Sequence, residues 1–215
     1  MRKALAFWIV LLLAPSLAGA AEVEGYHETR VKELLVKPVH LVSKDVWHGI
    51  GVPDVTNEVL IKFVLDRDMR EVYRIRSIQA LAYFPGRRSH QFLWQVVHDR
   101  VLDGRYKLAA LSTIGAGYQV ESLMELAPFL REKSTFLREG AIRGLGFIRD
   151  PRVLPILKNH LHQETDLELR LLVEQSIGQV ERAEEQDQKE REVKLLEQSN
   201  RALKSSSSPE QGENK

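Results

Sequence analysis

The sequence contains no cysteine. That excludes disulfides, thiolate metal sites and a cysteine nucleophile. It also excludes a bacterial lipoprotein anchor, which needs a cysteine at the cleavage point. A basic surplus is missing too: 31 Lys and Arg stand against 30 Asp and Glu, for a net charge of +1. No bulk positive charge is therefore available to drive nucleic-acid binding. Beyond the first twenty residues, no stretch approaches the ~20 apolar residues of a transmembrane helix. Neither G-x-S-x-G nor H-E-x-x-H occurs, so the local signatures of a hydrolase nucleophile and of a zincin are lacking.

What is present begins with a leader. Arg2 and Lys3 precede an apolar run from Ala4 to Leu13, Pro15 breaks it, and Ala18-Gly19-Ala20 supplies small residues. This is the pattern of a secretory signal peptide, with cleavage expected after Ala20. The alternative, an uncleaved anchor, has a short run and a clean A-x-A pattern against it. Removing residues 1–20 leaves 29 basic against 30 acidic residues, a net charge of −1. The expectation is an exported protein of the periplasm or cell envelope, with no membrane insertion after cleavage and no nucleic-acid partner. With 43% hydrophobic residues, the chain can build one domain with tails.

That domain is repetitive. Gly49-Ile50-Gly51, Ala80-Leu81-Ala82, Ile114-Gly115, Gly144-Leu145-Gly146 and Ser176-Ile177-Gly178 place small residues after aliphatic ones at 51, 82, 115, 146 and 178. The spacings are 31, 33, 31 and 32. Nine residues before each anchor lies Val42, Tyr73, Tyr106, Leu137 or Leu169. Eight before lies a basic column, Arg74, Lys107, Arg138 and Arg170, which Ser43 breaks in the first unit. Apolar residues within each unit recur at helical steps, as in Leu169, Leu172, Val173 and Ile177. A second helix follows each anchor. Its apolar faces read Val59-Leu60-Phe63-Val64, Phe92-Leu93-Val96-Val97, Leu123-Leu126-Phe129-Leu130 and Val153-Leu154-Leu157-Leu161. Asp150-Pro151 is a helix-start signal, and Thr165-Asp166-Leu167-Glu168 reads as a capping box.

Each unit of about 32 residues is thus a helix–turn–helix that buries its stripe only by stacking. The predicted fold is all-α: a short right-handed α-solenoid of about four helix pairs plus a terminal helix. The boundaries run 1–20 signal peptide, 21–38 lead-in, 39–182 repeat domain, 183–204 charged helical extension and 205–215 disordered tail. The extension carries Val193, Leu196 and Leu203 as a thin apolar stripe.

The stretch from Leu137-Arg138-Glu139-Gly140-Ala141 through Gly144-Leu145-Gly146, Asp150-Pro151 and Val153-Leu154-Pro155-Ile156-Leu157 resembles the short HEAT repeat of phycobilisome-lyase-type proteins. The resemblance covers roughly 39–180 and is strongest over 105–180. In the first pair Ser43 replaces the Arg, and Asp45 stands where the family has a small core residue. Ankyrin and tetratricopeptide signatures are absent. The resemblance implies that partners bind along the second-helix surface, and that the basic column is structural.

The glycine motifs do not read as phosphate loops, because no strand precedes them and the third glycine is missing. Close helix packing and helix C-capping are expected of them instead. The basic column has two readings, an anion-binding ladder or pairing between repeats with acids such as Asp150 and with turn carbonyls. The second is favoured. His160 and His162 are two apart and do not share a helix face, and the single His-Glu pair, His27-Glu28, lies outside the array. Catalytic, cofactor and metal residues are assigned to none. Trp94, one turn from His98, is either a core filler or an exposed anchor, since Trp is enriched at interface hot spots. Partner-binding candidates are Trp94, His98, Glu121, Glu125, Arg152 and Asn159. The functional expectation is a non-enzymatic protein-binding scaffold, with a protein or peptide partner. The alternative implied by the resemblance is a lyase or isomerase acting on a tetrapyrrole.

Overall fold

The computed structural model describes residues 25–206, with side chains through residue 201. The predicted signal peptide therefore lies outside the described residues. Helix α1 covers residues 25–35, and a 3-10 turn, Val39–Leu41, leads to α2 (Lys44–His48) and α3 (Pro53–Leu65). Then come α4 (Glu71–Ala80), α5 (Arg87–His98), α6 (Gly104–Tyr118), α7 (Leu123–Leu126), α8 (Thr135–Phe147), α9 (Val153–Gln163) and α10 (Leu167–Ser206). No strand occurs among the described residues, and none of the described helices is long and apolar enough to cross a membrane. The all-α repeat architecture is as the period predicts.

Stacking follows the anchors. The first helices of successive units, α4, α6, α8 and α10, pack on one another in order, with α6 against α8 the most extensive contact. Each second element packs against the first helix that follows it: α3 on α4, α5 on α6, the 127–131 turn on α8, and α9 on α10. The buried face of the first helices is the one read from the sequence, with Ile78, Leu81, Ala110, Ile114, Ile142 and Leu145 fully buried.

The small residues permit the stacking. A Cβ on Gly144 would stand 2.7 Å from the Leu111 carbonyl oxygen, and one on Gly140 2.9 Å from Leu108 Cα. A Cβ on Gly115 would overlap the Gly144 backbone outright. Farther along, Gly117 faces Ala82 and Gly146 faces Ser176. Interiors packed at crystal density leave no room for such additions. The expected C-capping is confined to Gly49, which ends α2; α6 and α8 end at Gln119 and Ile148. Gly115, Gly144 and Gly146 sit inside their helices because their task is contact.

The first unit departs from the pattern. Its leading helix shrinks to the five residues of α2, whose N-cap is Ser43; the Ser43 hydroxyl accepts from Val46 N–H. Gly51 is not in a helix at all. It has φ 143° and lies against the His27 ring, where a Cβ would come within 2.6 Å of Cε1. Helix α1, assigned from sequence to the lead-in, fills the vacant place: Val31 and Leu35 are fully buried, and Arg76 of α4 donates to the Leu35 and Val36 carbonyls. The array therefore starts before residue 39.

At the other end, Asp166 caps α10 by accepting from the Glu168 and Leu169 N–H groups, so the cap is Asp166 rather than a Thr165–Glu168 box. Helix α10 runs unbroken from the array into the charged extension. Side chains from 188 to 201 are exposed, Val193 and Leu196 included. Ser205 and Ser206 belong to its last turn, and the rest of the predicted tail lies outside the described residues.

Candidate functional site

The basic column is internal to the array. Arg74 Nε donates to the Val64 carbonyl at 2.9 Å, and its guanidinium lies 4.9 Å from the Tyr106 ring centre. Arg138 donates to the Glu132 and Lys133 carbonyls and to Glu164 Oε2 at 2.8 Å. Arg170 donates to the Leu161 and Glu164 carbonyls. Each of these arginines reaches back from a first helix to the carbonyls that end the preceding second element. Orphan carbonyls at a helix end need such donors. Lys107 makes no such bond, and its charge acts at a distance on Asp99. Asp150 is not a partner of the column: it pairs with Arg152.

A second column accompanies the first. Asp66, Asp99, Glu132 and Glu164 each stand at the C-cap of a second element, 33, 33 and 32 residues apart. Glu164 is the most enclosed, its side chain 3% exposed. It accepts from Thr165 and Asp166 N–H as well as from Arg138. These bonds hold its carboxyl below the usual range although burial pushes the other way. Beside it, His160 Nε2 lies 3.3 Å from Glu164 Oε2, and burial lowers the His160 pKa. His162 is exposed. This junction locks α8, α9 and α10 together.

The second-element surface is different. Residues 90, 94 and 98 fall on one face of α5. Trp94 is half-buried, 5.6 Å from the Phe129 ring and 5.5 Å from the His98 ring. His90 packs edge-on against Tyr118 at 4.6 Å. His90 Nε2 lies 3.1 Å from Trp94 Nε1 and 3.0 Å from Glu125 Oε2. One ring nitrogen cannot accept from the indole and donate to the carboxylate at once. One of the two contacts is therefore always unsatisfied within the chain.

The backbone explains why this spot is open. The second element of the third unit is not the regular helix predicted over 123–130. It is a 3-10 turn (Gln119–Ser122), the four residues of α7, and another 3-10 turn (Ala127–Arg131) that contains Pro128. Gln119 turns the chain at φ 50°, a region costly for a non-glycine residue. Its side chain compensates by donating to the Ala116 carbonyl at 2.8 Å and accepting from Arg149 N–H. Breaks of this kind in a helical ladder often mark function.

Of the predicted contacts, Trp94 and His98 line one groove and Glu121 and Glu125 another, and the two grooves meet at His90. Asn159 lies in a neighbouring groove between the break and α9, whose walls include Met124, Pro128, Pro155 and Ile156. Met124 is 76% exposed there, an unusual placement for a large apolar side chain. Arg152 does not join either group. Its Nε and Nη2 are held by Asp150 at 2.8 Å each, and this pairing lowers Asp150 to about 2. The sequence reading missed His90, Tyr118, Phe129 and Met124 as surface residues. The four-residue step from Trp94 back to His90 is a signal that could have found the first.

Comparison with known proteins bears on the fold. No curated protein matches. Among solved structures, the complex of CpcE and CpcF of phycocyanin lyase from Nostoc sp. PCC7120 is similar, with TM-score 0.42 and 15% identity over 67% of this chain and 98% of that chain. Residues 101–178 match the family described as HEAT repeats. That match spans α6 to α10 of a helical array whose units stack through α4, α6, α8 and α10.

Proposed function

We propose that this protein is a non-enzymatic scaffold of the bacterial periplasm or cell envelope, holding a protein or peptide partner along its second-element surface. The observation that carries the reading is the half-buried Trp94, set among His90, His98 and Phe129 beside the broken helix of the third unit. Half-buried aromatics beside an apolar groove are the anchors on which interface energy concentrates. Solenoids bind along the surface lined by one element type. The leader of Arg2, Lys3 and Ala4–Leu13 supports export.

The test is capture from an envelope extract after crosslinking, with wild-type protein and Trp94→Ala side by side. The expected result is one or a few proteins held by the wild type and lost from the variant, with both folded by circular dichroism. Retention of no protein, or equal retention by both, contradicts the reading. Fractionation with N-terminal sequencing checks the location: the chain should begin at Ala21 and leave with periplasmic markers.

A further inference from the structure

The geometry points to a receptor for an arginine side chain of the partner at the break in the third unit. This rests on the scaffold reading above and names the chemistry of its central contact. Two grooves meet at His90: one is lined by Trp94 and His98, with Phe129 5.6 Å from the Trp94 ring, and the other by Tyr118, Glu121 and Glu125. The rim is acidic. Glu121 and Glu125 are exposed on the same wall, and among the described residues Glu121 makes no ion pair. Among the described residues Glu125 pairs only with His90, which is itself divided between that carboxylate and the Trp94 indole. Arg87 stands at the rim and pairs with neither acid. Two carboxylates without a fixed cation, with His90 between Glu125 and the Trp94 indole, form a setting that an incoming cation completes.

The chemistry selects arginine. A guanidinium is planar, stacks on aromatic faces, is weakly hydrated, and offers a fork of donors that two carboxylates can share. A lysine ammonium, compact and strongly hydrated, uses the rim but gains less from the rings. An uncharged side chain leaves both acids as they were. When an arginine engages Glu125, His90 is released to accept from the Trp94 indole, which settles the shared nitrogen. The site as described is therefore poised, with one contact to spare.

The experiment uses the mature chain and three small probes: acetyl-arginine methylamide, its lysine counterpart and its neutral citrulline counterpart. The readout is the Trp94 indole N–H resonance in two-dimensional NMR, assigned by its loss in Trp94→Phe, with the fully buried Trp47 as the internal reference. The arginine probe is expected to move the Trp94 resonance saturably and leave Trp47 still. Citrulline should bind at least about fivefold more weakly, the scale of a cation–π contact plus an exposed ion pair. The double variant Glu121→Gln, Glu125→Gln should lose the same factor at unchanged Tm. Equal response to arginine and citrulline, no response to arginine, or full binding by the double variant overturns the inference. The two levels separate cleanly. If the double variant captures the envelope partner as well as wild type does, the arginine receptor is wrong and the scaffold stands. If wild type captures nothing, the scaffold is wrong, and the probe titration still decides the receptor.

Discussion

The two sides of the array obey opposite rules. On the first-helix side, α6 and α8 approach so closely that Gly115, Gly140 and Gly144 have no room for a methyl group. Arg74, Arg138 and Arg170 close the ends of three second elements there, and Glu164 closes the start of α10. On the second-element side, the third unit breaks its helix, exposes Met124 and leaves His90 with two partners for one nitrogen. Stacking demands repetition, since each unit meets the same neighbour. On the proposed recognition surface, repetition fails in the third unit. A departure from the period is thus as informative as the period itself.

The largest effects should come from the glycine contacts. Gly144→Leu places a branched side chain where a Cβ alone meets the Leu111 carbonyl at 2.7 Å. Overpacking against backbone that cannot yield should cost about 3 kcal/mol or more. The variant is expected to be insoluble or to melt far below wild type in a thermal scan.

Arg138→Ala should come next. It strands Glu164, whose side chain is 3% exposed, without its cation. Breaking a buried pair from one side costs on the order of 3 kcal/mol, readable as a shift in urea midpoint at constant slope. The same junction sets the pH dependence. The His160 and Glu164 pKa values are both depressed in the folded chain. The unfolded chain therefore binds more protons, and stability rises with pH. The contribution of His160 is complete above the ordinary histidine value, near 6.5, and is lost as pH falls from there through its depressed folded value. That of Glu164 is lost lower, as pH falls from the ordinary carboxylate value near 4 through its own depressed value. Urea titrations at pH 7.5, 5.5 and 4 should show two successive losses, and His160→Gln should remove the first.

Trp94→Ala should weaken the fold by about 2 kcal/mol, less than a fully buried aromatic would. It should abolish partner capture, so its functional effect exceeds its structural one. Arg152→Ala is the smallest. Its guanidinium is exposed and engaged with Asp150, so the melting temperature should stay at the wild-type value and partner capture should not move at all. A large loss of capture in Arg152→Ala would extend the recognition surface into the α8–α9 turn.

Much of the stacking side was legible. The anchors at 82, 115 and 146 and the arginines at 74, 138 and 170 encode contacts that recur along the array, and repetition is what a period reveals. The companion acids Asp66, Asp99, Glu132 and Glu164 escaped notice because the residue type changes from Asp to Glu along the array and acids are common throughout the chain. The first unit was misplaced because α1 has no glycine anchor, while Gly49-Ile50-Gly51 carries the pattern without the helix. The recognition side was legible only in part. Trp94, His98, Glu121 and Glu125 fall on one surface through helical spacing, but Gln119 gives no sequence warning that it will turn the chain at positive φ. The break, and with it the exposure of Met124, follows from that turn and from Pro128.

The measurement that bears most directly on this division is photo-crosslinking in the native envelope, from benzoyl-phenylalanine placed one residue at a time. Gln95 and Met124 sample the second-element surface, and Gln79 and Arg143 sample exposed positions of the first helices. The account predicts a discrete adduct from Gln95 and Met124 and none from Gln79 or Arg143. Adducts of equal strength from both sides, or from Gln79 and Arg143 alone, would contradict it.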